Sequence, residues 1–161
     1  MGKWGKWANG RMGQMSNLGK GGIPDFLKSY EAWEAAVPET IKQEGVWKFY
    51  AYQKALFLYD LCWYDCERLL KEPRGRKVSG QLIASMGSVS ANIEEGYGRG
   101  LSTREYQQFL RYAVASAKES KGWYFRGRHL LPDSVVEHRL ALLSEVIALL
   151  LTELKRRRRE K

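Results

Sequence analysis

Apolar positions become periodic at about residue 49. Tyr52, Leu56, Tyr59, Trp63, Cys66 and Leu70 recur at spacings of 4-3-4-3-4, which places them on one stripe of a helix. Ala55, Leu58, Cys62 and Leu69 widen that stripe, and Pro73 and Gly75 are predicted to end the helix. A second stripe holds Val78, Leu82, Met86, Val89, Ile93 and Tyr97, with a flank of small residues, Ser85, Gly87, Ser88, Ser90 and Ala91, that lets a neighbouring backbone come close. Gly96, Gly98 and Gly100 are predicted to stop it, since glycine takes the left-handed conformation of a helix end without a steric penalty. Ser102 with Glu105 three residues on reads as a capping box, opening a third helix at about residue 103 with the stripe Tyr106, Phe109, Leu110, Ala113, Ala117, Ser120 and Tyr124. After Pro132 and Asp133 the last helix carries Val136, Leu140, Leu143, Ile147, Leu150 and Leu154, again spaced 4-3-4-3-4. Strand-like alternation is absent. Four helices of roughly 20 residues joined by short loops predict an all-α, up-down-up-down antiparallel four-helix bundle, because short connections force neighbours to run in opposite directions.

The rest of the chain is arranged around that body. Residues 1–22 are glycine-rich and show no period, which predicts a disordered basic arm. Residues 23–46 are expected to hold a short extra helix over 24–36, with Pro24 in its first turn, and a linker broken at Pro38 and Gly45. The bundle is expected over 47–154 and a basic C-terminal tail over 155–161. The net charge of +9 sharpens these boundaries. Lys3, Lys6, Arg11 and Lys20 stand in the arm without an acid, and Lys155, Arg156, Arg157, Arg158, Arg159 and Lys161 stand against Glu160 alone, so the two ends carry the whole excess and the middle is neutral. The N-terminus lacks the apolar block of a signal peptide and no apolar run is long enough for a membrane span. These features predict a cytoplasmic protein with no membrane partner. Two cysteines, Cys62 and Cys66, are too few for a disulfide framework.

The chemistry concentrates in residues 88–100, Ser-Val-Ser-Ala-Asn-Ile-Glu-Glu-Gly-Tyr-Gly-Arg-Gly. Glu94 and Glu95 fall in the last turn of a helix, where the macrodipole disfavours negative charge, and Arg99 is placed to offset it. Asn92, Glu95, Gly96 and Arg99, with Ser116 and Glu119 on the third helix, read either as a buried polar network that fixes helix register or as a ligand or partner site. A di-iron bundle needs Glu-x-x-His on facing helices, and neither His129 nor His138 follows a glutamate at that spacing. Cys62 and Cys66 lie one helical turn apart, but a closed zinc site needs four ligands, so buried thiols are expected. No phosphate loop, nucleophile elbow or dinucleotide fingerprint is present. No catalytic residue, metal or cofactor is therefore expected.

Tyr52-Gln53-Lys54-Ala55, then Gln81, then Ala91-Asn92-Ile93-Glu94-Glu95-Gly96 with Gly98-Arg99, then Tyr106, Phe109-Leu110, Ala113, Ser116 and Glu119 follow in order. Over residues 47–154 this resembles the bacterial four-helix-bundle family first recognised in proteins encoded by intervening sequences of 23S rRNA genes. The resemblance implies an up-down-up-down bundle, often a homopentamer, with no established enzyme activity. It also implies a structural relationship to the accessory protein of diversity-generating retroelements, a basic pentameric bundle that binds a reverse transcriptase and nucleic acid. The chain departs from the family pattern at Ser90, where the family usually has proline, and at Glu94, where it commonly has a small residue.

The remaining candidates are at the ends and on the third helix. Lys155, Arg156, Arg157, Arg158 and Arg159 continue the last helix as a knob of charge, read either as a solvated helix end or as a contact to phosphates. Lys3 and Lys6 are interleaved with Trp4 and Trp7, a mixture that suits stacked bases and that plain disordered segments also carry. Trp123, Tyr124, Phe125 and Arg126 cannot all face one core, so part of this run is expected at an interface. The expected function is a non-enzymatic, oligomeric bundle that binds RNA or a ribonucleoprotein through its basic termini, with DNA an alternative ligand. The competing reading is an interaction adaptor, such as an accessory subunit of a reverse transcriptase.

Overall fold

The computed structural model describes residues 23–159. The basic arm with Lys3 and Lys6 lies outside the described residues. The chain divides after Ala36 into two units. In the first, a 3-10 turn at Asp25–Leu27 precedes α1 (Tyr30–Ala36). The helix is shorter than expected, because Pro24 introduces the turn and the Ser29 hydroxyl caps α1 by accepting from the Ala32 amide at 3.1 Å.

The second unit opens with α2 (Glu39–Lys42), entered at Pro38, and a 3-10 turn at Gly45–Lys48. Four long helices follow: α3 (Tyr50–Leu69), α4 (Pro73–Gly98), α5 (Arg104–Gly127) and α6 (Asp133–Arg159). Among the described residues there is no strand. Cross-helix contacts fix an antiparallel cycle. Tyr52 meets Glu94 and Cys66 meets Ser79 between α3 and α4. Ser85 meets Ser120 between α4 and α5, Lys121 meets Ser144 between α5 and α6, and Asp65 meets Arg139 between α3 and α6. With Gly96 against Phe109 between α4 and α5, Tyr106 on Glu153 between α5 and α6 and Lys54 on Glu145 between α3 and α6, each pair climbs one helix as it descends the other, which is the up-down-up-down bundle. Leu58, Leu69, Leu82, Met86, Ile93, Leu110, Leu143 and Leu150 fill its centre and are fully buried.

Three local expectations shift. On α3 the buried line runs through Ala55, Leu58, Cys62 and Leu69, while Trp63 and Leu70 are more than half exposed. The small Ala and Cys let α3 approach its neighbours, and Trp63 and Leu70 are turned outward while Tyr52 and Cys66 of the predicted stripe stay buried. α3 ends at Leu69, before Pro73 and Gly75, and these two residues also open α4, where proline at the first position forfeits no helical hydrogen bond. Gly75 is required there, since a Cβ would fall 2.0 Å from the Leu69 carbonyl oxygen. The α5 cap is Thr103 rather than Ser102: its hydroxyl accepts from the Tyr106 amide at 3.0 Å, so Glu105 sits one position early for a capping box.

Candidate nucleic-acid interface and the polar interior

The 88–100 segment ends α4 differently from the three-glycine stop. α4 runs through Gly96 to Gly98, and only Gly100 takes positive φ, at +95°. Gly96 is buried because α5 crosses there: a Cβ would meet the Phe109 Cβ at 2.9 Å. Its small size permits the crossing, so it acts in packing and not in a polar network.

Nor do the other motif residues form one buried network. Asn92 donates to the Ser88 carbonyl of its own helix at 2.7 Å. Glu95 and Arg99 form an i,i+4 pair at 2.9 Å in which both side chains are about half exposed, and Arg99 also lies 5.7 Å over the Phe109 ring. Glu119 is exposed and accepts from Trp123 Nε1 at 3.2 Å, and the Ser116 carbonyl accepts from Ser120. The spacing is responsible: Asn92 and Glu95 lie on the outer flank of a stripe centred on Val89, Ile93 and Gly96. Glu94 does hydrogen-bond across helices: it accepts from the Tyr52 hydroxyl of α3 at 2.8 Å. Burial, and then this carboxylate, push the Tyr52 pKa well up, so the phenol stays a donor.

The buried polar chemistry lies toward the other end of the bundle, where sequence reasoning did not look. Arg139 on α6 donates from Nε to Asp65 Oδ2 at 2.8 Å and from Nη2 to Oδ1 at 3.1 Å, a two-point clasp onto α3. Tyr124 of α5 donates to the same Oδ2 at 2.8 Å. Three helices are thus tied at one carboxylate. Tyr124 is fully buried, which removes it from the expected interface, and burial drives its pKa far up, with the neighbouring thiol and carboxylate adding to that. Cys62 and Cys66 are free, buried thiols with sulfurs 4.0 Å apart; the bond to Cys66 and burial keep the proton on Cys62. Among the described residues no three His, Cys, Asp or Glu side chains gather as a metal site requires. The one signal in the sequence for this cluster was an Asp and an Arg on otherwise apolar helix faces.

The remaining run divides by helical phase. Phe125 is 55% exposed, with the Arg128 guanidinium 4.0 Å over its ring, and Arg126 stacks 4.8 Å over a half-buried Trp123. At the C-terminus α6 continues without a break through Arg159. Arg156 and Arg157 fold back onto Glu153, with Nε to carboxylate distances of 2.8 and 2.7 Å, and Arg157 lies 5.5 Å over the Tyr106 ring. Glu153 also accepts from the Tyr106 hydroxyl at 3.3 Å. Burial raises the Glu153 carboxyl, but its bonds to the two arginines outweigh that and leave its pKa below the ordinary value. The other members of the run, Lys155, Arg158 and Arg159, are exposed. Among the described residues no helix is long and apolar enough to cross a membrane.

The family model for the 23S rRNA-intervening sequence protein matches residues 48–152, the whole bundle short of its basic end. No curated protein matches the chain, and no solved structure matches it.

Proposed function

The chain belongs to the 23S rRNA-intervening sequence protein family, and from that premise we propose that it is a non-enzymatic, oligomeric bundle that binds RNA through its basic ends. The observation that carries this reading is the end of α6. Glu153 pairs with Arg156 and Arg157 and offsets one of their two charges, while Lys155, Arg158 and Arg159 stand exposed on a continuous helix. A helix that ends in cations complements its own dipole, but one or two would serve that purpose. The surplus is charge held at fixed spacing, which suits phosphates. In a pentamer, the assembly the family resemblance implies, five such ends act together and avidity follows from their number.

Filter binding of an RNA across 50–200 mM salt tests the reading. About five phosphate contacts give a log–log slope of roughly −4 to −5 on a duplex scale; salt-independent retention, or none at the lowest salt, overturns it. A light-scattering mass near the 18.6 kDa of one chain overturns the oligomer.

The exposed Trp63, Tyr112 and Phe125 favour a second reading, an adaptor docking a protein such as a reverse transcriptase. Deleting residues 155–161 separates the two: partner capture survives under the adaptor reading, and RNA affinity falls under the first.

A further inference from the structure

The contact between Lys121 Nζ and Ser144 Oγ, at 2.9 Å, marks where α5 and α6 face each other near one end. Tyr106 with Glu153 and Arg157 marks the facing register near the other. Between them two stripes border the seam. From Lys121 back along α5, at helical spacings of three and four, run Lys118, Val114, Arg111, Gln107 and Arg104; from Ser144 forward along α6 run Ala148, Leu151, Lys155 and Arg158. Val114 and Gln107 are buried and form part of the floor, whereas Arg104, Arg111, Lys118, Lys155 and Arg158 are exposed. Arg104, Glu105, Gln107, Gln108 and Arg111 line a surface depression of about 450 Å³, so one carboxylate stands among its cations. Neither stripe contains an acid. Apart from Glu105, the nearby carboxylates are engaged elsewhere: Glu119 by Trp123, Glu145 by Lys54 of α3 and Glu153 by Arg156 and Arg157.

From this geometry we infer that the α5–α6 seam is a track for the phosphate backbone of double-helical RNA, an inference that rests on the RNA reading above and gives it a site. Arg104, Arg111 and Lys118 repeat every seven residues, about 10 Å apart on a straight helix, and the track from Arg104 to Lys121 is about 25 Å long. A rigid row of cations suits a rigid duplex whose phosphates keep their spacing. Neither stripe holds an aromatic, so there is no platform for the unstacked bases of a single strand. Gln108, exposed beside the row of cations, brings an amide whose NH2 can donate and whose oxygen already accepts from Arg111 Nη1 at 3.2 Å, chemistry that suits 2′-hydroxyls in the minor groove of A-form RNA. The basic end of α6 is then not a separate tail but the continuation of this track through Lys155 and Arg158.

Fluorescence anisotropy of the full chain with a 20-bp RNA duplex in 100 mM KCl tests the assignment. Reversing two seam charges, Arg111→Glu with Lys118→Glu, is expected to weaken binding at least tenfold. The same charge change at the start of α4, Arg76→Glu with Lys77→Glu, is expected to alter it less than twofold. Circular dichroism checks that both variants keep their helices. If the reversal does not fold, Arg111→Ala with Lys118→Ala is expected to lower the salt slope by about two, one for each lost phosphate contact. Equal weakening by the two reversals overturns the seam while the RNA reading survives. Absence of RNA binding by the unaltered chain removes both. Single-stranded RNA or duplex DNA binding as tightly as duplex RNA, or equal displacement by polyglutamate of matched charge, overturns the choice of ligand.

Discussion

Asp65–Arg139 and Glu95–Arg99 are both carboxylate–guanidinium pairs, and their shortest contacts, 2.8 and 2.9 Å, are nearly the same. Their surroundings are not. The first pair is 5% and 4% exposed, joins helices 74 residues apart in sequence and shares its carboxylate with Tyr124. The second is about half exposed and closes one turn of a single helix. Distance therefore does not rank these pairs; what removing one partner leaves behind does. A stranded Asp65 has no water to turn to, whereas a stranded Glu95 is already hydrated. Glu153 with Arg156 and Arg157 stands between them, since the carboxylate is 10% exposed and its partners 55% and 15%. The three sites form a series in which the cost of disruption should follow burial.

The largest effect is expected at Arg139. Arg139→Ala leaves Asp65 with only the Tyr124 hydroxyl and should cost about 3–5 kcal/mol in urea denaturation followed by circular dichroism. Replacing both partners with apolar residues, Asp65→Leu with Arg139→Met, should recover most of that loss, because no uncompensated charge remains. A single-variant cost below about 1 kcal/mol would break the comparison, by showing that water reaches the site.

How much of this was legible in the sequence follows from the same contrast. The i,i+4 relation of Glu95 and Arg99 can be counted along the chain, and so can the stripes of α4 and α6, because helical spacing is a local property. The bundle and the family run at 91–99 were readable for that reason. The partnership of Asp65 with Arg139 could not be counted, since it depends on where two helices meet. The same limit misplaced the polar interior in the family motif and put Tyr124 at an interface. On α3 the predicted stripe was too wide on one side: Ala55, Leu58, Cys62 and Leu69, which widened it, are buried together with Tyr52 and Cys66, whereas Trp63 and Leu70 are exposed. The α5–α6 track was overlooked because a four-arginine run is conspicuous, whereas Arg104, Arg111 and Lys118 are separated by seven.

Glu153 sharpens the middle of the series through pH. Its folded pKa is lowered below the ordinary 4.5, so the folded state holds fewer protons there than the unfolded one. The stability this contributes is complete above pH 4.5 and is lost as pH falls through the folded value. Glu153→Gln should cost about 1.5–3 kcal/mol at neutral pH, the range of hydrogen bonds to charged groups. The difference from the unaltered chain should shrink between pH 5 and pH 3. A difference that stays constant across that window would mean that packing, not the carboxylate charge, is what Glu153 supplies.

The smallest effect belongs to the family motif. Glu95→Gln removes the ion pair but leaves Arg99 over the Phe109 ring, so it isolates the pair. Exposed pairs of this kind contribute about 0.3–0.5 kcal/mol. Against that, Glu95 lies in the last turn of α4, where the dipole disfavours its charge, and neutralising it relieves that penalty. The two terms are of similar size and opposite sign, so the net change should stay within about 0.5 kcal/mol, and both should fade in 1 M salt as screening shortens to about 3 Å. Thermal melts of Glu95→Gln at low and high salt measure this directly. A loss above about 1.5 kcal/mol that persists in 1 M salt would mean that Glu95 and Arg99 are buried in the assembled protein, against a neighbouring copy or a ligand.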